Sequence, residues 1–219
     1  MFVARPFKAQ DLTVLQDLIR AHPLGTWVSV TPSGLDVNHV PFLLDPTHGP
    51  NGALLGHVAR ANPIWQSFSR DTPSVVVFQG PETYITPSWY PSKKAHGKAV
   101  PTWNYTVVHA RGMPQTVEDR DWLRQHVSDL SQQQEAGQQE PWQVSDAPDN
   151  YIDAMLKAVV GIVIPIDALE GQWKNSQNRP PEDVSGTVAG LRARGDAQAD
   201  AMADLVQGHV DAKDAALRK

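Results

Sequence analysis

SVVVFQGPETYITPSWYPSKK at residues 74–94 and VPTWNYTVVHARG at residues 100–112 decide the fold. Both stretches contain short apolar or alternating runs separated by Gly, Pro and Ser, a pattern that is typical of β-strands joined by turns. Runs of this kind predict six strands, at 27–30, 35–44, 53–58, 74–79, 82–86 and 103–111, and a seventh at 159–166. Short strands in such succession indicate a barrel or a sandwich.

Helices are predicted around these strands from apolar periodicity and capping residues. They are expected at 8–21, at 116–135 with Thr116 in the capping position, at 148–158, from 180 onward and at 196–217. One helical turn is predicted after Asn62-Pro63, because proline is favoured as the first helical residue. The segment SQQQEAGQQEP at 131–141 is polar and contains Gly and Pro, so we expect a mobile loop, with a lid as one role for it. The fold class is therefore mainly β with peripheral helices (α+β).

Composition limits the function further. The 219 residues include no cysteine, which excludes disulfides, cysteine-ligated metal sites and thiol nucleophiles. No metal site is predicted. The longest apolar stretch, 159–166, is far shorter than the roughly 20 residues of a membrane span, and no export signal is recognised at the start. We expect a cytoplasmic protein without a membrane partner.

Charge is distributed unevenly along the chain. The net charge of −5 argues against binding nucleic acid through bulk electrostatics. Residues 53–70 and 83–117 nevertheless contain no acidic residue, while the second stretch contains Lys93, Lys94 and Lys98. These stretches suit a small anionic ligand, and the alternative is that their lysines are ordinary solvated side chains.

Aromatic residues are concentrated in the same part of the chain. Eight of the sixteen lie between residues 65 and 105, interleaved with Ser, Thr, Asn and Lys. They predict either a hydrophobic core or a slot for a flat conjugated ligand with an anionic tail. GHVARANPIW at 56–65 would bring His57 and Arg60 to a helix N-terminus, which favours anion binding, although both residues also suit structural roles. Phosphate-binding glycine motifs and hydrolase motifs are missing from the sequence, so no catalytic residue is assigned.

Four motifs in the same order resemble the signatures of PaiB-type FMN-binding negative transcriptional regulators. They are GHVARANPIW, VVFQGPETYITPSWYPSK, VPTWNYTVVHARG and the run KNSQNRP at 174–180. The resemblance extends from HVPFLLD at 39–45 to Asp183. It implies an FMN-binding split β-barrel related to pyridoxamine-phosphate oxidase and flavin reductases, present as a homodimer with FMN at the subunit interface.

The resemblance also implies a set of FMN-binding residues. We expect His57, Arg60 and Asn62 near the phosphate or ribityl tail. Thr102, Trp103, Asn104 and Tyr105 are expected along the flavin, and Ser88, Trp89 and Tyr90 are expected to close the pocket. Gln177, Asn178 and Arg179 would cap the site or come from the second subunit. Asn175 departs from the family pattern, in which we expect an apolar residue.

Three functional hypotheses follow. The first is a flavoprotein whose noncovalent FMN serves redox sensing or flavin-dependent reduction with a nicotinamide cofactor. The second is a repressor that contacts DNA without enzymatic turnover, and the third is a haem-binding protein on the same barrel. The predicted domains are a split barrel at 1–176 and a helical extension at 177–219, which packs on the barrel or on the partner subunit.

Overall fold

The structure is a computed structural model that describes residues 1–9 and 11–217, with their side chains except those of 210 and 212–217. Two compact units are distinguished. The first comprises Met1–Asp11, Gln79–Val108 and Glu170–Lys219, and the second comprises Leu12–Phe78 and His109–Leu169. Each unit is therefore assembled from separate stretches of the sequence.

The strands in chain order are β1 (Lys8–Ala9), β2 (Leu24–Thr31), β3 (Gly34–Pro41), β4 (Leu43–Asp45), β5 (Ala53–Ala59), β6 (Ser74–Ile85), β7 (Thr102–Gly112), β8 (Gln115–Val117), β9 (Val159–Pro165) and β10 (Ala168–Lys174). The helices are α1 (Leu12–Ala21), α2 (Ile64–Ser67), α3 (Pro91–His96), α4 (Arg120–Glu135), α5 (Asp149–Lys157), α6 (Pro181–Arg192) and α7 (Ala197–Leu217). Three short 3-10 turns lie at Arg5–Phe7, Pro87–Trp89 and Val144–Asp146. β6 and β7 each contribute residues to both units.

The second unit contains two groups of antiparallel strands. In one group β2 pairs with β3 and with the first half of β6, and the other group has the order β4-β5-β9-β8. Residues alternate between buried and outward-facing along β2, as expected for a strand with one covered face. Trp27, Phe42 and Phe78 are buried in this unit. Gly25 and Gly56 both lie against the Phe42 ring, where a Cβ would approach it to 3.0 Å or closer.

The first unit combines strands in the order β1-β10-β7-β6 with the two C-terminal helices. α6 and α7 pack around Ile85 and Tyr90 to form a second hydrophobic core. Gly190 faces the Trp89 ring so closely that a Cβ would lie 2.3 Å from it. These contacts anchor the helical hairpin to the aromatic segment that follows β6.

Several predicted strands are corrected by the structure. The predicted strands at 74–79 and 82–86 form one strand, β6, because Gly80 and Pro81 remain extended and the Pro81 carbonyl accepts a bond from Thr106 Oγ1 at 3.4 Å. The predicted strand at 35–44 is interrupted at Phe42 and becomes β3 and β4. β1, β8 and β10 are additional strands, and β10 escapes prediction because its sequence ALEGQWK lacks β-branched residues.

The predicted helix boundaries also change. α4 begins at Arg120 rather than near Thr116, because the Asp119 carboxylate accepts a bond from the Trp122 N–H at 2.8 Å and caps the helix. The predicted loop at 131–141 is wrong at its start, since α4 continues through Glu135. Gln and Glu favour helix, and the helix ends just before Gly137. The helix predicted at 8–21 begins at Leu12.

Four of the remaining helices agree with the sequence prediction, and α3 was not predicted. α5, α6 and α7 lie at 149–157, 181–192 and 197–217, and a helical turn, α2, follows Asn62-Pro63. In the described part of the chain, no helix combines the length and the apolar character needed to cross a membrane.

Candidate functional site

A histidine pair, with His126 buried and His57 half-buried, lies in the second unit between β5 and α4. His57 Nδ1 and His126 Nε2 are 3.1 Å apart, and the Trp122 ring stacks on His126 at a centroid distance of 5.1 Å. Gly161, opposite His57 on β9, leaves space for Trp122. Burial lowers the pKa of His57, and it lowers the pKa of His126 to about 4 with a further contribution from His57. Both rings are therefore neutral at neutral pH.

Arg60 is held by a network of acceptors. Its Nη1 donates to Glu118 Oε2 at 2.6 Å, while Nε donates to the Lys157 carbonyl at 2.9 Å and Nη2 to the Val159 carbonyl at 3.2 Å. The guanidinium carbon also lies 5.6 Å from the centroid of the Trp65 ring. Each of the three nitrogens thus has an acceptor, and the charge is compensated by a carboxylate.

Asn62 has a capping role in the same unit. Its Oδ1 accepts from the Ile64 N–H at 3.0 Å, and its Nδ2 donates to Asn38 Oδ1 at 2.7 Å. α2 is a single turn of four residues, so it offers little of the helix dipole that the sequence argument invoked. The structure brings His57, Arg60 and Asn62 into one unit, and each already has protein partners there.

A cationic and aromatic group lies in the first unit, where β7 begins and β10 ends. Lys174 Nζ donates to Thr102 Oγ1 at 2.8 Å and lies 5.9 Å from the centroid of the Tyr105 ring. Burial lowers the pKa of Lys174, and the charge of Arg179 lowers it further. Among the described residues no carboxylate forms an ion pair with Lys174. Its charge therefore remains uncompensated, unlike that of Arg60.

Trp103 and Asn104 differ in exposure although they are adjacent on β7. Trp103 is 47% exposed, its Nε1 donates to a Glu82 carboxylate oxygen, and Tyr84 approaches it edge-on at 6.0 Å. Asn104 is 1% exposed and donates from Nδ2 to Ser176 Oγ at 2.9 Å. Its Oδ1 is buried and has no hydrogen-bond partner within the described residues. This oxygen is an acceptor that lacks a donor.

The segment 88–90 contacts the C-terminal helices. Tyr90 is buried, and the Arg179 guanidinium carbon lies 4.8 Å from its ring centroid. Burial raises the pKa of Tyr90. Trp89 packs against Gly186 and Gly190 of α6, whereas Ser88 is exposed and accepts from Lys93 Nζ at 3.4 Å.

The turn after β10 is fixed by Gln177. The Gln177 side chain accepts from the Asn175 N–H at 2.7 Å and donates to the Trp173 carbonyl. Ser176 has φ = 62°, in the left-handed region that non-glycine residues rarely occupy. Asn175 is buried and its Nδ2 lies 3.4 Å from His209 Nε2. Asn178 is exposed at the end of this turn.

Sequence reasoning missed several residues of these two groups. His126 stacks on Trp122, four positions earlier on α4, and this spacing was the available signal. Ser176 gives no signal in the sequence, because its hydrogen bond to Asn104 joins residues 72 positions apart.

The donor set of the first unit fits an anionic, ring-containing cofactor. It offers an unpaired ammonium at Lys174, a hydroxyl at Thr102 and an exposed indole at Trp103. Asn104 Oδ1 supplies a buried acceptor for an N–H donor. In the second unit the compensated Arg60 and the neutral histidine pair are less suited to a phosphate.

The strand order and this donor set fit a flavin-binding split β-barrel. A family model described as "Putative FMN-binding domain" matches residues 1–168. The chain belongs to this family, and its cofactor is FMN. The predicted resemblance to PaiB-type FMN-binding proteins is confirmed, as is the split-barrel fold.

Two relatives and one solved structure illustrate these similarities. An uncharacterized protein of Emericella nidulans is 32% identical over 249 residues, covering 98% of this chain and 99% of that protein. The protease synthase and sporulation protein PAI 2 of Bacillus subtilis is 27% identical, covering 94% of this chain and 97% of that protein. The structure of a flavocytochrome from Azotobacter vinelandii aligns with a TM-score of 0.56 and 11% identity, covering 78% of this chain and 72% of that one. At this identity, the structural match concerns the fold.

Proposed function

We propose that this protein uses its FMN for redox chemistry, either as a flavin-dependent reductase supplied by a nicotinamide cofactor or as a redox sensor. The observation that carries the proposal is the uncompensated ammonium of Lys174, which lies beside Thr102 and the Tyr105 ring. A bound flavin accepts and donates hydride or single electrons, and the protein supplies binding, orientation and electrostatics.

We assign roles in this proposal to residues of the first unit. Lys174 and Thr102 would hold the anionic end of the cofactor, because an ammonium and a hydroxyl form charge-assisted hydrogen bonds with phosphate. The exposed Trp103 indole and the Tyr105 ring would contact its ring system. Asn104 Oδ1 would accept a hydrogen bond from a ring N–H, since a buried acceptor without a donor is unfavourable. The sequence-predicted contacts from Ser88 to Tyr90 and from Gln177 to Arg179 remain part of the proposal.

FMN titration of variants tests the binding residues. We expect Trp103→Ala to weaken FMN binding by about 1–3 kcal/mol, the contribution of one stacked ring. Trp142→Ala is the matched control, because Trp142 has similar exposure and lies in the second unit. Lys174→Gln should weaken binding, whereas Lys94→Gln on the exposed face of α3 should not. Equal affinities for Trp103→Ala and the wild type would refute the stacking assignment.

Anaerobic mixing with NADH or NADPH tests the redox role. A reductase loses its visible flavin absorbance on mixing and regains it with an electron acceptor. A redox sensor is reduced by dithionite and not by either nucleotide. The same spectrum identifies a haem protein by its Soret band. A flavin that neither nucleotides nor dithionite can reduce would refute both forms of the proposal.

We further propose that the protein is a homodimer. Strand pairing places seven apolar side chains on one face of β2, β3 and the start of β6: Leu24, Val28, Val30, Leu35, Val37, Val75 and Val77. Leu35 is 75% exposed and Val37 is 53% exposed. A contiguous exposed apolar face of this kind is characteristic of a protein interface.

Light scattering after size exclusion tests this dimer. The wild type should have twice the mass of one chain, and Val37→Glu should shift the protein to the monomer. Val100→Glu is the matched control, because Val100 is exposed outside this face. A monomeric wild type, or a Val37→Glu variant that remains dimeric, would exclude this interface.

Direct DNA contact and a cytoplasmic location remain predictions. A salt-dependent gel shift with promoter DNA tests the DNA contact.

A further inference from the structure

A cleft of about 590 Å³ lies in the second unit between α4 and residues 141–145. One wall is formed by Arg124, Ser128, Gln132 and Ala136, whose spacing of four residues places them on one face of the helix. The volume lies within the range of about 300–1,000 Å³ that is usual for ligand sites. None of the residues lining it belongs to the predicted FMN site, so this cleft is a separate site.

The opposite wall is anchored to the protein. Val144 is buried and packs with Leu123 and Ile152. The backbone N–H of Trp142 donates to Glu135 Oε2 at 3.1 Å, and that of Gln143 donates to Asp146 Oδ2 at 2.8 Å. These contacts hold residues 141–145 against α4, so the cleft is preformed in this structure.

An exposed indole lines the cleft, and a carboxylate outside the lining is hydrogen-bonded to the backbone of the same residue. Trp142 lines it and is 43% exposed. The backbone bond of Trp142 holds the Glu135 carboxylate nearby, and Glu135 Oε1 has no hydrogen-bond partner within the described residues. An aromatic face attracts an ammonium group through its quadrupole, and a carboxylate attracts it through its charge. Together they favour an organic cation.

The chain segment that supplies both walls of the cleft is acidic, although the charged residue in the lining itself is Arg124. Residues 120–149 contain six carboxylates and two arginines. Arg124, which lines the cleft, is already compensated, because its Nη2 lies 2.7 Å from Asp149 and its Nη1 lies 3.8 Å from Asp153. A surplus of carboxylates attracts cations and repels anions.

Polar side chains provide the remaining contacts. Gln132 and Ser145 line the cleft, and their side chains form no hydrogen bond with other described residues. A carboxamide and a hydroxyl can both donate and accept hydrogen bonds. A ligand that carries a hydroxyl or an amide beside its ammonium group would therefore form hydrogen bonds at one end and place its cation at the other.

We propose that this cleft binds a small organic ammonium ion, with the cationic group against Trp142 and Glu135 and a polar group toward Gln132 and Ser145. This site is additional to FMN binding and does not depend on the proposed redox function.

The test compares choline with 3,3-dimethylbutan-1-ol, which has the same shape and no charge. Binding of each to the FMN-loaded full-length protein is measured by calorimetry and by ligand-observed NMR. We expect choline to bind about threefold to tenfold more tightly, as an exposed cation–π contact and a nearby carboxylate predict. Added salt should reduce this preference because it screens the charge. Equal binding of the two probes, or no choline binding at millimolar concentrations, would overturn the proposal.

Matched variants locate the binding site. Trp142→Ala and Glu135→Gln should each weaken choline binding severalfold, and Glu135→Gln preserves the shape of the side chain. Tyr151→Ala and Glu140→Gln are the controls, because Tyr151 does not line the cleft and the Glu140 carboxylate, unlike that of Glu135, has no hydrogen bond to a cleft residue within the described part of the chain. The proposal fails if the controls weaken binding as much as the cleft variants do. An unchanged flavin spectrum in every variant keeps this outcome separate from any failure of FMN binding.

Discussion

Lowering the pH should destabilise the protein through His126. This ring is 3% exposed, and it lies between His57 and Trp122. Its pKa is about 4, against 6.5 in the unfolded chain, which corresponds to a loss of about 3 kcal/mol when the ring is fully protonated. Between these two pKa values the unfolded chain binds the additional proton. Stability is therefore present above pH 6.5 and is lost as the pH falls toward 4.

Urea unfolding followed by circular dichroism, at several pH values and a fixed excess of FMN, measures this effect. Other groups also titrate in this range, so the informative quantity is the difference between the wild type and His126→Gln. Glutamine preserves a hydrogen-bonding group toward His57 and takes up no proton, so the variant should lose less stability on acidification. His48→Gln, which removes an exposed imidazole, is the control for the substitution itself. Identical slopes for the wild type and His126→Gln would refute the argument.

Two further predictions concern packing and buried hydrogen bonds. Gly161→Ala should lower the free energy of unfolding by about 1–3 kcal/mol, because the new Cβ would lie 2.3 Å from Trp122 Cζ3. Gly137→Ala meets open space and is its control, and equal urea midpoints for the two variants would contradict the prediction. Asp183→Ala should cost about 1–3 kcal/mol, because the buried carboxylate accepts from Ser92 N and Oγ at 3.1 and 2.6 Å. Asp183→Asn retains an acceptor, so thermal unfolding should show a smaller loss, and a loss as large as that of the alanine variant would contradict this account.

The local parts of the fold were predictable from the sequence. The apolar runs at β2, β5, β7 and β9 identified those strands, because the burial pattern of each strand is visible in its own sequence. β10 was missed, because its polar sequence forms a strand by pairing with residues that are distant in the chain. The start of α4 was misplaced by four residues, since both Thr116 and Asp119 are suitable caps and the hydrogen bond to Trp122 selects the second.

The candidate site was predictable in residue type and less so in detail. The aromatic and basic composition of 83–117 left a hydrophobic core and a slot for a flat anionic ligand both open, and FMN was predicted from the family resemblance, which the family match confirms. In the structure Glu118 compensates the charge of Arg60, and Lys174 has no carboxylate partner among the described residues. The local sequence does not show this difference between the two cations. Such pairings join residues that are far apart in the chain, so they depend on the tertiary structure. The sequence motif likewise could not show that Trp89 packs against Gly190 of α6.

The position of β3 has a consequence for engineering this protein. β3 pairs with β2 on one side, and among the described strands it has no hydrogen-bonded neighbour on the other. A free strand edge next to the valine and leucine side chains of the proposed dimer face is a template for aggregation, which charged residues and proline oppose. In β3 the charged residue is Asp36 and the proline is Pro41, so these two oppose aggregation. Replacing either one to improve packing would therefore risk fibrous assembly.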